Sequence, residues 1–335
     1  MLLGAPGRPP AAAVSRRAVT VLSGFLGSGK TTLLRGELGR AGASGPAVIL
    51  NDFGATMVDD GLLLRSADAP IVISGGCACC TRREDLAKAL AGLLDAEQRG
   101  AAPRHDQVVI ETSGLSDPGP IAFTIANDPV LRHHYALARV CVTVDAMTGI
   151  GAAEQHEVAL RQLLAADEVL ITKADLVEPE RVEMLLRWVH DLNPSARVAV
   201  TAQGDVLRTV PAAEVRAAGS GSRSPGDEGA HLRGISTLEL TTREPLDWQA
   251  FSVWLSLLLH RHGPDVLRVK GVLDVRGTGP VALNAVQHVV HRPEHVAQPM
   301  PPGTRLVVIV RDLDPEQLER SFRAFLTIDE SGLSA

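Results

Sequence analysis

Gly24-Phe25-Leu26-Gly27-Ser28-Gly29-Lys30-Thr31-Thr32 is the stretch whose reading decides the fold. The apolar run Ala18-Val19-Thr20-Val21-Leu22 precedes it, and Thr32-Leu33-Leu34-Arg35 opens a helical pattern behind it. The spacing G-x-x-x-x-G-K-T therefore lies between a strand and a helix, the setting in which it cradles phosphate. Gly24, Gly27 and Gly29 let the backbone curl around Ser28, so that successive N–H groups point inward at an anion. Lys30 is placed to reach the β- and γ-phosphates, and the Thr31 hydroxyl to ligate Mg²⁺. The helix running on from Thr32 turns its positive end toward the same charge. A nucleoside triphosphate site is expected here.

Outward from this loop, short runs rich in Val and Ile recur. They are Ala47-Val48-Ile49-Leu50, Ile71-Val72-Ile73, Val108-Val109-Ile110, Val140 to Val144, Val169 to Ile171 and Val198 to Val200. Helical patterns separate them, for instance Thr81 to Gln98 with Leu86, Leu90, Leu93 and Leu94. Strands alternating with helices predict an α/β fold, a P-loop NTPase domain with a mostly parallel sheet covered on both faces. Composition turns to Gly, Ser, Arg and Pro after Ala217, and the pattern beyond it differs. A strand (Ser236 to Thr242), a helix around Trp248 to Leu259, strands at Val266 to Val275, Val281 to Val290 and Leu306 to Val310, and a helix capped at Asp314-Pro315 predict a small C-terminal α+β domain. The expected boundaries are a disordered lead-in over 1–15, the nucleotide domain over 16–218, a linker over 219–233 and the second domain over 234–328.

The chain has 335 residues, 45% of them apolar and only 3% aromatic, so its cores must be mostly aliphatic. A formal charge of −6 argues against a nucleic-acid or membrane-surface binder, and no apolar run is long enough to span a bilayer. Ser15-Arg16-Arg17 faintly resembles a twin-arginine signal, but the apolar run behind it is the strand that feeds the phosphate loop. A cytoplasmic chain is expected. Nothing in the sequence excludes a homodimer.

Thr172-Lys173-Ala174-Asp175 ends the strand Val169-Leu170-Ile171. GTP-binding folds carry an Asn/Thr-Lys-x-Asp element at that place, whose carboxylate accepts hydrogen bonds from guanine N1–H and the exocyclic amine. A buried Asp175 would reject adenine by being left unpaired. Ala202, beyond the next strand, could lend its N–H to the guanine oxygen. Glu111 ends an apolar strand where such folds hold Mg²⁺, and Gly114 would put an N–H near the γ-phosphate. Asp52 lies where a first switch would be, so Lys30, Asp52 and Glu111 form the expected catalytic group. No clear arginine finger is present. Hydrolysis at roughly 10⁻⁴ to 10⁻³ per second is expected, a slow timer.

Cys77-Ala78-Cys79-Cys80 is the second strong signal. Three thiols in so short a span can converge as thiolates on one borderline-soft cation, zinc above all, and a redox sensor is the competing reading. The cluster falls between the phosphate loop and Glu111, so metal affinity and nucleotide state could be coupled reciprocally. Cys141, among valines in mid-strand, reads as core. His288 and His291, on one predicted strand, should point to opposite faces. His133, His134, His260 and His262 read as exposed.

Together these motifs resemble the CobW-like family of metallochaperone GTPases. Further carrying pieces are Asn51-Asp52-Phe53-Gly54, Glu111-Thr112-Ser113-Gly114 with Asp117-Pro118, Leu267-Arg268-Val269-Lys270-Gly271 and Val286-Gln287-His288. The resemblance covers about Ala18 to Leu326. It implies binding and slow Mg²⁺-dependent hydrolysis of GTP, and delivery of zinc, or Co²⁺ in cobalamin-pathway members, to a client metalloprotein. Relatives often carry acidic residues where this chain has Leu50 and Ala55, so a complete metal site would draw on Asp52, Asp59, water or the client. A metal- or redox-sensing GTP-binding regulator and a P-loop kinase are the alternatives from other classes, and Asp175 speaks against the kinase.

Overall fold

The computed structural model describes residues 16–41, 45–51, 72–74, 82–210, 234–286, 289–291, 293–296 and 300–326. The expected lead-in, Asp52, the thiol cluster, the linker and His288 lie outside the described residues. The chain divides into two compact units, and the residues Trp188–Ser195 group with the second.

The first unit is built on a sheet of order β3-β2-β4-β1-β5-β6-β7-β8. Its strands are β1 (Arg17–Gly24), β2 (Ala47–Asn51), β3 (Val72–Ser74), β4 (Gln107–Thr112), β5 (Tyr135–Asp145), β6 (Glu168–Thr172), β7 (Arg197–Ala202) and β8 (Asp205–Val210). All neighbours are parallel except β8, which returns antiparallel along β7. The first strand is buried at every position from Val19 to Gly24 without alternation, as expected where helices cover both faces. The exposed strand β8 was not predicted, because its run carries no dense apolar pattern; it is held as an edge by pairing to β7.

The helices are α1 (Lys30–Ala41), α2 (Arg82–Gln98), α3 (Gly119–Asn127), the single turn α4 (Leu131–His134), α5 (Gly149–Gln155), α6 (Glu157–Ala165) and α7 (Pro179–Leu192). Leu33 and Leu34 of α1 pack with Leu22, Val48, Val109, Cys141, Leu170 and Ala199 in one buried cluster. Each such leucine contributes roughly 1.5–3 kcal/mol by leaving water. That burial clamps α1 directly behind the phosphate loop. Because β1 lies between β4 and β5, the order of strand laying reverses at β1, and a crevice opens beyond its carboxyl end.

The second unit is an antiparallel sheet of order β12-β11-β10-β14-β9, with β13 (Glu294–His295) also on β11. It comprises β9 (Ile235–Thr242), β10 (Val266–Val275), β11 (Gly279–Val286), β12 (Val289–Val290) and β14 (Thr304–Arg311). The helices α8 (Trp248–His262) and α9 (Pro315–Leu326) bury Phe251, Trp254, Leu318 and Phe322 with Val269, Leu273 and Val308 in one core. Asp247 caps α8 by accepting from Ala250 N–H at 2.8 Å, and Asp314 caps α9 by accepting from Glu316 N–H at 2.9 Å. The continuous strand expected over 281–290 is instead a hairpin, with Val286 pairing to Val289 and Ala285 to Val290. The apolar pattern alone could not show that reversal, so the opposite-face argument for His288 and His291 does not apply. Among the described residues no helix is long and apolar enough to cross a membrane.

Candidate functional site

The loop from Gly24 to Gly29 leaves β1 at the crevice. Gly24, Gly27 and Gly29 take φ values of 141°, 72° and 90°, a region costly to any residue with a Cβ. At Gly24 space is also lacking, since a Cβ would lie 2.2 Å from Thr143 Oγ1. Thr143 of β5 shares a 2.7 Å hydrogen bond with the buried Ser28 hydroxyl. From β6, the Thr172 hydroxyl donates to the Ser28 carbonyl at 2.7 Å. Two neighbouring strands thus hold the loop from below. Thr172, which stands where asparagine is commoner, makes its supporting contact through a hydroxyl.

The Lys30 ammonium folds over the loop and donates to the carbonyls of Gly24 at 2.8 Å and Phe25 at 3.2 Å, with the residue only 9% exposed. The Thr31 hydroxyl donates to Glu111 Oε1 at 2.6 Å. Residues far apart in the chain therefore present two hard oxygen donors at one point beside the phosphate loop, a donor set that fits Mg²⁺. Glu111 is largely buried at the carboxyl end of β4, and Gly114 follows in the next loop. A Cβ on Gly114 would come within 2.7 Å of the Leu26 backbone nitrogen, so only glycine lets this loop lie against the phosphate loop. Thr32 stands in the first turn of α1.

The element expected to read the base occupies the end of β6. Lys173 adopts a left-handed φ of 56° and its ammonium reaches Asp145 Oδ2 at 2.6 Å. Burial alone would raise the Asp145 carboxyl, but the Lys173 ammonium and the N–H groups of Met147 and Thr148 outweigh it and hold it below the usual carboxylate range. Asp145 was not singled out from sequence, although an acid closing a Val-rich strand is the same signal that marks Glu111. Asp175 is exposed on a 3-10 turn (Ala174–Leu176), touched by Gln203 Nε2 at 3.4 Å; the expected burial of this carboxylate is not found. The turn follows directly on β6, and Leu176 beside Asp175 is exposed as well. Ala202 closes β7 beside it, and Thr201 donates to the Ile171 carbonyl at 3.1 Å, aligning the two strand ends.

An exposed carboxylate discriminates less than a sealed one, because water can satisfy it when the wrong base is bound. Asp175→Asn is expected to weaken GTP binding about tenfold and to shift preference toward xanthosine triphosphate. Competition titration with both nucleotides checks this; unchanged GTP affinity would remove the base assignment.

The structure thus brings together Gly24, Gly27, Ser28, Gly29, Lys30, Thr31, Thr32, Glu111, Gly114 and Thr172, with Lys173, Asp175 and Ala202 at the neighbouring strand ends. Asp52, Cys77, Cys79 and Cys80 lie outside the described residues, among which no group of three or more His, Cys, Asp or Glu side chains could hold a metal. Cys141 is core as expected. Burial, with the Glu168 carboxylate beside it, pushes its thiol well above the usual range, so it is inert. His133, His134 and His260 are exposed as expected, whereas His262 is half-buried.

Two family models match the chain. Residues 18–200 match the CobW/HypB/UreG nucleotide-binding domain, and residues 235–326 match the C-terminal domain of the cobalamin synthesis protein CobW. The chain is 40% identical over 189 residues to the zinc chaperone YjiA of Escherichia coli strain K12, a stretch covering 56% of this chain and 58% of that one. The chain therefore spans little more than half the length of that relative in sequence alignment. It is 29% identical over 356 residues to the zinc chaperone CobW of a Sinorhizobium species, covering 92% and 96% of the two chains. The crystal structure of Zn(II)-bound YjiA GTPase from E. coli superposes with a TM-score of 0.67 at 27% identity, over 92% of this chain and 99% of that one. With family models matching both of its domains, the chain belongs to the CobW/HypB/UreG family.

Proposed function

We propose that this protein is a GTP-binding, slowly GTP-hydrolysing metallochaperone that carries zinc on Cys77, Cys79 and Cys80 and passes it to a client metalloprotein. The observation that carries the nucleotide half is the 2.6 Å contact between Thr31 and Glu111 beside a loop already fitted with Lys30. Thr31 and Glu111 would hold Mg²⁺, which when bound neutralises charge on the β- and γ-phosphate oxygens. Lys30 would bind the same oxygens, the loop N–H groups would orient the phosphates, and Asp175 would read the base. Asp52 follows directly on β2 and is the candidate to orient the attacking water.

The zinc half is supported by the names of the relatives and by chain placement. The three cysteines fall between β3, which ends at Ser74, and α2, which begins at Arg82. β3 runs parallel to β2, and β1 parallel to β4 in the same sheet, so the chain leaves β3 and β1 at the same edge. The segment that carries the cysteines is thus entered from the same edge of the sheet as the phosphate loop. Coupling of this kind amounts to about 5- to 150-fold in affinity. Zinc affinity, measured by chelator competition, is expected to differ by that order between the GTPγS-bound and GDP-bound chain. Equal affinities would overturn nucleotide-gated delivery.

A further inference from the structure

The helix α6 touches the nucleotide site at two places that the motifs do not include. At its start, the His156 ring stacks on Phe25 of the phosphate loop, with centroids 4.7 Å apart and planes at 21°. Further along, Gln162 is 0% exposed and points its amide into the loop that follows Glu111. Its Nε2 donates to the Gly114 carbonyl at 3.2 Å and to the Ser116 carbonyl at 2.9 Å. Arg161 adds an ion pair to Asp117 at 3.7 Å. The two carbonyls held by Gln162 flank Leu115, which is 58% exposed, so the amide grips the loop from beneath its crest. Gly114 in turn lies against the Leu26 backbone.

We propose that Gln162 is a positioning residue that sets the Gly114 N–H toward the γ-phosphate and so makes the chain distinguish GTP from GDP. The proposal rests on the triphosphate reading above. It follows from what the amide does and from what it leaves undone. Both donor hydrogens are spent on the loop, while Oε1 is buried with no hydrogen-bond partner among the described residues. A buried acceptor without a donor disfavours this loop position relative to one in which a loop N–H reaches it. A ligand that contacts Gly114 in the position held by the amide adds its own free energy to that position and so selects it. GDP offers no γ-phosphate and makes no such selection.

The test uses the full chain and two variants. Gln162→Met keeps the volume and removes both donors; Gln162→Glu keeps the shape and turns a lone pair on each carbonyl. In either, the ratio of GTPγS to GDP affinity should fall about tenfold, while GDP affinity stays within about twofold. A merely structural loss would weaken both nucleotides alike. A folded variant with the wild-type ratio overturns the proposal. Should neither variant fold, hydrogen exchange on the wild-type chain decides it. Greater protection of amides 113–117 with GTPγS than with GDP supports the proposal, and identical protection overturns it. A wild-type chain that binds no GTP would overturn the triphosphate reading and this proposal with it. Normal GTP binding with an unmoved ratio in the variants overturns this proposal alone.

Discussion

Lys30→Ala is expected to cut GTP hydrolysis by about 10²- to 10³-fold, the cost of removing one preorganised donor from a site where charge develops. The ammonium is nearly buried and held over the loop by the Gly24 and Phe25 carbonyls, so the side chain is ordered before a phosphate arrives. A nearly buried charge is worth far more than one on the surface. The substitution also leaves two loop carbonyls without that donor, which lowers stability by about 1–2 kcal/mol. Phosphate release at saturating GTP, read beside a thermal melt, separates the two effects. Hydrolysis at the wild-type rate would mean that the triphosphate is not bound at this loop.

The second large effect is on the metal. A chain carrying both Cys79→Ser and Cys80→Ser should lose roughly 10³-fold or more in zinc affinity, because a serine hydroxyl stays protonated where a thiolate would bind. GTP affinity should remain within about twofold. The residues assigned to the nucleotide come from β1, α1, β4 and β6, whose described core residues pack against one another. Chelator competition and nucleotide titration on one preparation give both readings. Retained zinc affinity would move the site elsewhere, though not to Cys141, whose burial keeps it a neutral thiol.

How far the sequence could be read depended on whether a feature was local. The loop from Gly24 to Thr32 was legible because its function needs backbone conformations that only glycine adopts cheaply, at fixed spacing, with a strand before and a helix behind. The alternation of Val-rich runs with helical patterns was legible for the same reason, since burial on both faces writes itself into every strand position. Strand β8 and the β11–β12 hairpin were not, because edge pairing and a tight reversal leave little in the apolar pattern.

The residue types and their order determined that this chain has a phosphate loop, a parallel sheet to carry it and a second, antiparallel domain. Tertiary structure alone decided which distant side chains meet. Thr31 reaches Glu111, Thr172 ties the β6 end to Ser28, Lys173 finds Asp145, and Gln162 spends its amide on the Gly114 loop. It also decided that Asp175 faces solvent, against the sequence expectation. The physical reason is common to all five. A residue's type states which bonds it can make, but its partner and its exposure to water are properties of neighbours brought in by the sheet from elsewhere in the chain.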